Sequence, residues 1–285
     1  MNPIVYHIAS GQAFLTGVVL IILAALLSLR ENRIMQRVMV LSFLVGVILV
    51  AVSSTPLPWW FYGVADVVTL VWLGTLFTKR WRKVAAEALV GVWLLGLLLE
   101  VPYHLTPGVE PVSLRRLTVI GDSVTAGLGD TETETWPRIL SREQDIAVQD
   151  LSHVGDTVAS ARKRVAATEL KSPLVLLEIG GNDILGSTTP AQFATNLDAL
   201  LSELESPGRQ LVMLELPLPP FYHAYGRIQR ELARKHKVKL VPKRVLLSII
   251  AGGDATLDSI HLSQAGQQNM AEVVWGIIGS GYGTD

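Results

Sequence analysis

The chain contains no cysteine. That excludes disulfide bonds, a thiolate nucleophile and cysteine-ligated metals, while leaving the redox compartment open. It is also short of charge. Only 17% of its residues are Asp, Glu, Lys or Arg, against about 25% in an average soluble domain. The two signs nearly cancel, for a formal net charge of −1, so no basic face points to nucleic acid as a partner. Histidine is sparse as well. His7, His104, His223 and His236 form no ligand-spaced cluster, so no metal is expected, and no cofactor is expected either. What the chain has in excess is apolar residues, 49% of the total, with a mean hydropathy of +0.39. Residues 1–105 carry most of that excess. Residues 113–285 have the composition of an ordinary globular domain.

Four apolar runs fill the first part, at about 4–29, 34–52, 59–77 and 84–101. Each is close to the roughly 20 residues needed to cross a bilayer core of about 30 Å. Long helices of a soluble protein would show a polar face, and these mostly do not. A cleaved leader is not expected, because the first run is too long and has no basic segment before it. The loops after the first and third runs are basic, with Arg30 and Arg33 (Arg37 lies just inside the second run) and then Lys79, Arg80, Arg82 and Lys83. The loop after the second run is uncharged. The positive-inside rule then puts the two basic loops in the cytoplasm, and both termini and the downstream domain outside it. Trp59, Trp60, Phe61 and Tyr62 suit the outer interface, and Trp81 the inner one. Asp66, inside the third run, reads as a packing residue or one near the headgroups. The expected division is a transmembrane domain over 1–105, a linker over 106–114 and a second domain over 115–285. The stretch "PYHLTPGVEPVS" (102–113), with its prolines and glycine, marks the stiff connection.

From residue 116 the pattern alternates. "RLTVI", "IAVQDLS", "PLVLLEIG", "QLVMLELP" and "VKLVP" read as strands. Helical stretches separate them, and "SQAGQQNMAEVVWGIIG" closes the chain as a helix with Ser263 as N-cap. Such alternation predicts an α/β domain with a parallel sheet covered on both faces, whose sites form at the carboxyl ends of the strands.

Four stretches fall at strand ends or in the last loop: "GDS" (121–123), "SHVGDT" (152–157), "GGND" (180–183) and "DSIH" (258–261). A serine becomes a nucleophile only beside a base, and the base needs an orienting partner. Ser123, His261 and Asp258 can fill these roles. An acyl-transfer site also needs donors aimed at the developing oxyanion. The backbone N–H groups of Ser123 and Gly155 and the side-chain amide of Asn182 can supply them. Each stretch alone is weak; their joint occurrence in this order is strong. Ser123 is not in a G-x-S-x-G elbow, since position 125 is Thr, which argues against an ordinary α/β-hydrolase.

This set resembles the SGNH, or GDSL, hydrolase family over about residues 115–280, and is similar to its thioesterase/lysophospholipase branch. The resemblance implies a three-layer, flavodoxin-like domain around a five-stranded parallel sheet, here preceded by four transmembrane helices. It implies Ser123 as nucleophile, His261 as base with Asp258 behind it, and Ser123, Gly155 and Asn182 as the oxyanion hole. Val124 departs from the leucine of the name motif. Ser259 stands where glycine is usual and Leu262 where proline is common, both able to shift the His261 loop.

Other features read more modestly. His153 is a loop histidine, and Asp122 and Asp183 brace their turns. "ARKRVAA" is a solvated helix face that could also meet anionic headgroups. "LPLPPFYHAYG" (216–226) could line an acyl pocket, face the membrane or pack on the core. The expected function is that of a membrane-anchored serine esterase acting on lipid, lysophospholipid, thioester or acylated glycan esters. Its expected partners are the bilayer and a surface-associated ester. The alternatives are an acyltransferase using the same acyl-enzyme, or a non-catalytic membrane scaffold.

Overall fold

The computed structural model describes residues 1–78, 80–128, 134–257 and 261–283. The chain divides into two compact units. One comprises Met1–Asn2, Leu105–Pro217 and Ala224–Asp285; the other comprises Pro3–His104 and Leu218–His223.

The larger unit is built on five parallel strands: β1 (Arg116–Gly121), β2 (Ala147–Asp150), β3 (Leu174–Glu178), β4 (Gln210–Leu214) and β5 (Lys239–Val241). Their order across the sheet is β2-β1-β3-β4-β5. Parallel neighbours cannot be joined by tight turns, so helices carry the connections. The helices of this unit are α6 (Ser123–Ala126), α7 (Trp136–Gln144), α8 (Val158–Ala166), α9 (Gly181–Leu185), α10 (Pro190–Leu204), α11 (His223–Lys235, whose first residue counts with the other unit), α12 (Lys243–Ile250) and α13 (Gln264–Ile278). All five residues of β3 are buried, so both faces of the sheet are covered. Leu174 and Leu176 join Leu117, Val119, Val212 and Val241 in one core with Trp136, Ile139, Met270 and Val274. Helix starts follow local chemistry. Thr157 and Thr189 form capping boxes with Ser160 and Gln192, and the Ser263 side chain accepts from the Gly266 N–H. Helix α12 and the one-turn helices α6 and α9 add to the elements expected from the sequence; the last two are too short to show a period.

A buried ion cluster ties β4 to the helices after it. Glu215 accepts from Arg230 Nε at 2.7 Å and lies 3.7 Å from Lys243 Nζ. The Lys243 backbone N–H also donates to it at 3.3 Å. Burial opposes ionisation of Glu215, but the Lys243 and Arg230 cations outweigh it and hold the carboxyl below its ordinary range.

The helical unit holds α1 (Pro3–Ala9), α2 (Gln12–Leu27), α3 (Arg33–Val52), α4 (Trp59–Thr78) and α5 (Arg82–Glu100). The helices Arg33–Val52, Trp59–Thr78 and Arg82–His104 are each long and apolar enough to cross a membrane, and the pair α1 and α2 makes a fourth if counted as one span. The run at 4–29 is not one straight helix as the sequence suggested. It bends by 82° between α1 and α2. Gly11, in the left-handed region at φ 86°, makes the break. The His7 ring bridges it by bonding Gln12 and Thr16 at 3.2 and 3.1 Å, and Ser54 holds α1 through the Ala9 and Ile8 carbonyls.

Helices α2 and α3 approach through glycines. A Cβ on Gly17 would lie 2.7 Å from the Gly46 carbonyl oxygen, and one on Gly46 would lie 2.8 Å from that of Gly17. Such small-residue contacts are how apolar helices associate without a hydrophobic drive between them. Phe61, Trp72, Leu89 and Trp93 fill the interior, while Leu41, Ile48, Val67, Leu70 and Leu98 face outward. Asp66 is exposed on α4, so it is not a buried packing residue. The segment Leu218–His223 packs with this unit. Leu218 is buried, and the His223 ring stacks on Tyr62 and bonds the Ser53 carbonyl oxygen.

Two outcomes follow. Glu215→Ala leaves two buried cations uncompensated and costs about 3–5 kcal/mol, read by chemical denaturation of the detergent-purified chain. Because the folded pKa of Glu215 lies below its ordinary value of 4.5, the cluster's contribution is present above that pH and lost as pH falls through the depressed value. In the helical unit, Gly46→Val overpacks the α2–α3 contact at about 1–3 kcal/mol and lowers the melting temperature. Gly74→Val, where a Cβ meets nothing within 4 Å, leaves it unchanged.

Candidate active site

The sheet order places β1 between β2 and β3, so the loops leaving β2 and β3 flank the residue that follows β1. Gly121 ends β1, and the position admits no side chain, since a Cβ there would lie 2.5 Å from Thr125 Oγ1. The chain then turns at once into α6. The Asp122 carboxylate accepts the Val124 N–H at 3.1 Å and caps that turn. Ser123 is its first residue and is nearly buried, at 8% exposure.

His261 reaches Ser123 from 138 positions away. Its Nε2 lies 3.1 Å from Ser123 Oγ. In the tautomer with a bare Nε2 the hydroxyl donates to the ring. Thr256 and Leu262 pair as an antiparallel bridge, and the Leu257 N–H donates to the His261 carbonyl at 2.8 Å. The loop that holds His261 is therefore closed on itself. Leu262, at the position of the expected proline, is buried in the core. Asp258 and Ser259 lie outside the described residues.

The loop after β2 folds back on β1: the His153 N–H donates to the Gly121 carbonyl at 3.1 Å. Gly155 has φ 78°, a left-handed conformation that strains any other residue. His153 is exposed and its ring bonds the Val154 carbonyl. On the other side of Ser123, the Asn182 amide donates to the Asp156 carbonyl at 2.9 Å. This joins the Asn182 helix to the residue after Gly155. Asp183, expected to brace its own turn, accepts the Val158 N–H at 2.8 Å and so links α9 to the start of α8.

Below the serine lies a network that the motifs did not announce. Glu178, at the end of β3, accepts the Thr125 hydroxyl at 2.9 Å, and Trp136 Nε1 donates to that hydroxyl at 3.3 Å. Glu178 and Asp122 are both 3% exposed, and the Asp122 backbone N–H donates to the Glu178 backbone carbonyl at 3.2 Å. Burial pushes Asp122 up to about 6. Burial, reinforced by the Asp122 charge, pushes Glu178 well above its ordinary value. The available signal was a lone ionisable residue ending a strand buried on both faces. Asp156 is the other omission; it pairs with Arg164 of α8 and carries the carbonyl that Asn182 grips.

The sequence profile of the GDSL-like lipase/acylhydrolase family matches residues 119–268. The chain is 32% identical to esterase TesA of Pseudomonas aeruginosa over 194 residues, covering 63% of this chain and 96% of that protein. It is 28% identical over 135 residues to thioesterase 1/protease 1/lysophospholipase L1 of Escherichia coli K12, covering 44% and 65% of the two. A crystal structure of TesA superposes with a TM-score of 0.51 at 32% identity, over 57% of this chain and 97% of that one. By the sequence profile, the sequence relatives and the fold together, the chain belongs to the GDSL-like lipase/acylhydrolase family, whose members are ester hydrolases of the SGNH type.

Proposed function

We propose that this enzyme is a membrane-anchored serine esterase in which Ser123 is the nucleophile and His261 the base. The observation that carries the reading is the 3.1 Å hydrogen bond between Ser123 Oγ and His261 Nε2 at the carboxyl end of β1. His261 removes the hydroxyl proton as Oγ attacks the ester carbonyl, and the carbonyl oxygen becomes an oxyanion. The Ser123 and Gly155 N–H groups and the Asn182 amide receive that charge. An amide carries two N–H donors; one holds the Asp156 carbonyl and the other serves the oxyanion. His261 then returns the proton to the leaving alcohol or thiol, giving an acyl-enzyme. Water, deprotonated by the same ring, releases the acid. Asp258 orients the ring.

The apolar helices anchor the hydrolase unit at the bilayer, with α1 and α2 acting together as a broken first span. The basic residues at Arg30–Arg37 and Lys79–Lys83 lie on the cytoplasmic side and the hydrolase unit on the other. Tethering concentrates the enzyme against lipid-borne substrates. Fatty acyl esters and thioesters are the favoured class, in keeping with the thioesterase and lysophospholipase in the name of the Escherichia coli relative.

Ser123→Ala folds normally and lowers kcat for short p-nitrophenyl esters by about 10³-fold or more; turnover near that of wild type would overturn the assignment. For sidedness, alkaline phosphatase fused to the C-terminus is active in cells and a green fluorescent protein fusion is dark. The reverse pattern places the hydrolase unit in the cytoplasm.

A further inference from the structure

The stretch between β4 and α11 takes no part in the acyl-enzyme chemistry, yet it holds a strained aromatic residue. The Tyr222 N–H donates to the Pro219 carbonyl at 3.2 Å, closing a turn with Pro220 and Phe221 at its centre. Phe221 is the third residue of that turn and has φ 71°. Proline second and a left-handed residue third is the pattern of a type II turn, whose third position favours glycine or asparagine. A bulky side chain is out of place there. Phe221 is also 74% exposed, so packing within the fold does not offset the strain. Among the described residues, four other than glycine have positive φ. Asp145 and Lys237 are polar and lie just past the ends of α7 and α11, where this conformation is ordinary. The other two, Phe221 and Trp81, are exposed aromatics, and both count with the helical unit.

The two stand at opposite ends of that unit. Trp81 is the N-cap of α5 in the basic loop, with the Arg80 guanidinium 5.6 Å from its ring centroid. Phe221 is two residues from His223, whose ring stacks on Tyr62 with centroids 6.5 Å apart and bonds the Ser53 carbonyl oxygen. Two residues of chain span at most about 7 Å, so Phe221 lies near the first turn of α4 and the last of α3. The 20 residues of α4 rise about 30 Å, the thickness of a bilayer core. Its first turn carries Trp59 and Trp60, both exposed. Neither 53–62 nor 216–223 contains Asp, Glu, Lys or Arg. Aromatic side chains gather at headgroup level, where an apolar body and a wet edge are both accommodated. We propose that Phe221 is a lipid anchor: the loop after β4 inserts its ring, with Tyr222 beside it, into the headgroup boundary of the leaflet at the Trp59 end. The inference rests on the helical unit spanning a bilayer. The occupant is phospholipid, because Phe221 stands at the end of a unit whose outward side chains, among them Ile48, Val64 and Val67, are apolar. Transfer of the ring from water to lipid offsets the strain of the turn. A strand-end loop of the hydrolase fold is thereby held at the lipid surface.

A chain without cysteine can be spin-labelled at one site at a time. The full chain is reconstituted in vesicles of phosphatidylethanolamine and phosphatidylglycerol. A nitroxide is attached in turn to Phe221→Cys, to Leu70→Cys near the middle of α4 and to Lys171→Cys on the hydrolase unit, all exposed positions. The ratio of collisions with oxygen to collisions with a water-soluble nickel chelate reads depth in the bilayer. At Phe221 it is expected to be severalfold above that at Lys171 and below that at Leu70. A benzophenone amino acid at position 221 keeps an aromatic ring there, and on illumination it is expected to form a phospholipid adduct, read by mass spectrometry. Where the two measurements disagree the adduct decides, since it retains the ring. A Phe221 label as wet as that at Lys171, with benzophenone crosslinks confined to the chain, overturns the inference; a Leu70 label shielded from nickel then leaves the membrane-spanning reading standing. A Leu70 label as open to nickel as that at Lys171 overturns both.

Discussion

A strand buried on both faces has nowhere to present a charged side chain except at its ends. Strands β1 and β3 are in that position, and the site is arranged around it. The first residue beyond β1 is Asp122 and the next is Ser123; the last residue of β3 is Glu178. Each lies where the apolar layers stop and backbone N–H groups become available. With β1 between β2 and β3, three strand ends converge on one serine. His261 comes from a distant loop whose flanks pair with each other, and its ring meets Ser123 at 3.1 Å.

That geometry also explains why the site sits so close to the core. The Thr125 hydroxyl, two residues after Ser123, is wedged against Gly121 and linked to Trp136 and Glu178. Trp136 is among the largest fully buried side chains. Packing and polar contacts therefore share residues, and the serine turn is rigid because the core beneath it is. Preorganisation of this kind lets an oxyanion form without rearranging its donors.

The helical unit follows a different rule. Its interior sets Phe14, Phe61, Trp72 and Trp93 among aliphatic residues and its outward faces are apolar as well, unlike the polar-out pattern of the hydrolase unit. Its helices meet through glycine and through a few buried hydroxyls, such as Ser28, which receives the Trp72 indole N–H. The bend at Gly11 shows how little sequence is needed to break a long apolar run.

Alternating apolar runs and amphipathic stretches made the five strands and the longer helices between them legible, and β3, buried on both faces, reads as an almost unbroken apolar run. The site motifs were legible because strand ends and glycine turns are local features. Hydropathy identified the apolar segments by length, but not the 82° break in the first, which depends on one backbone dihedral and on contacts from residue 54. Nor could the sequence place Leu218–His223 with the helical unit or join Glu178 to Asp122, which are separated by 56 positions and meet only through strand pairing. The sequence by itself determined which residue types stand at each strand end. Which of those ends are neighbours, and hence which loops flank Ser123, was decided only by the order of strands in the folded sheet.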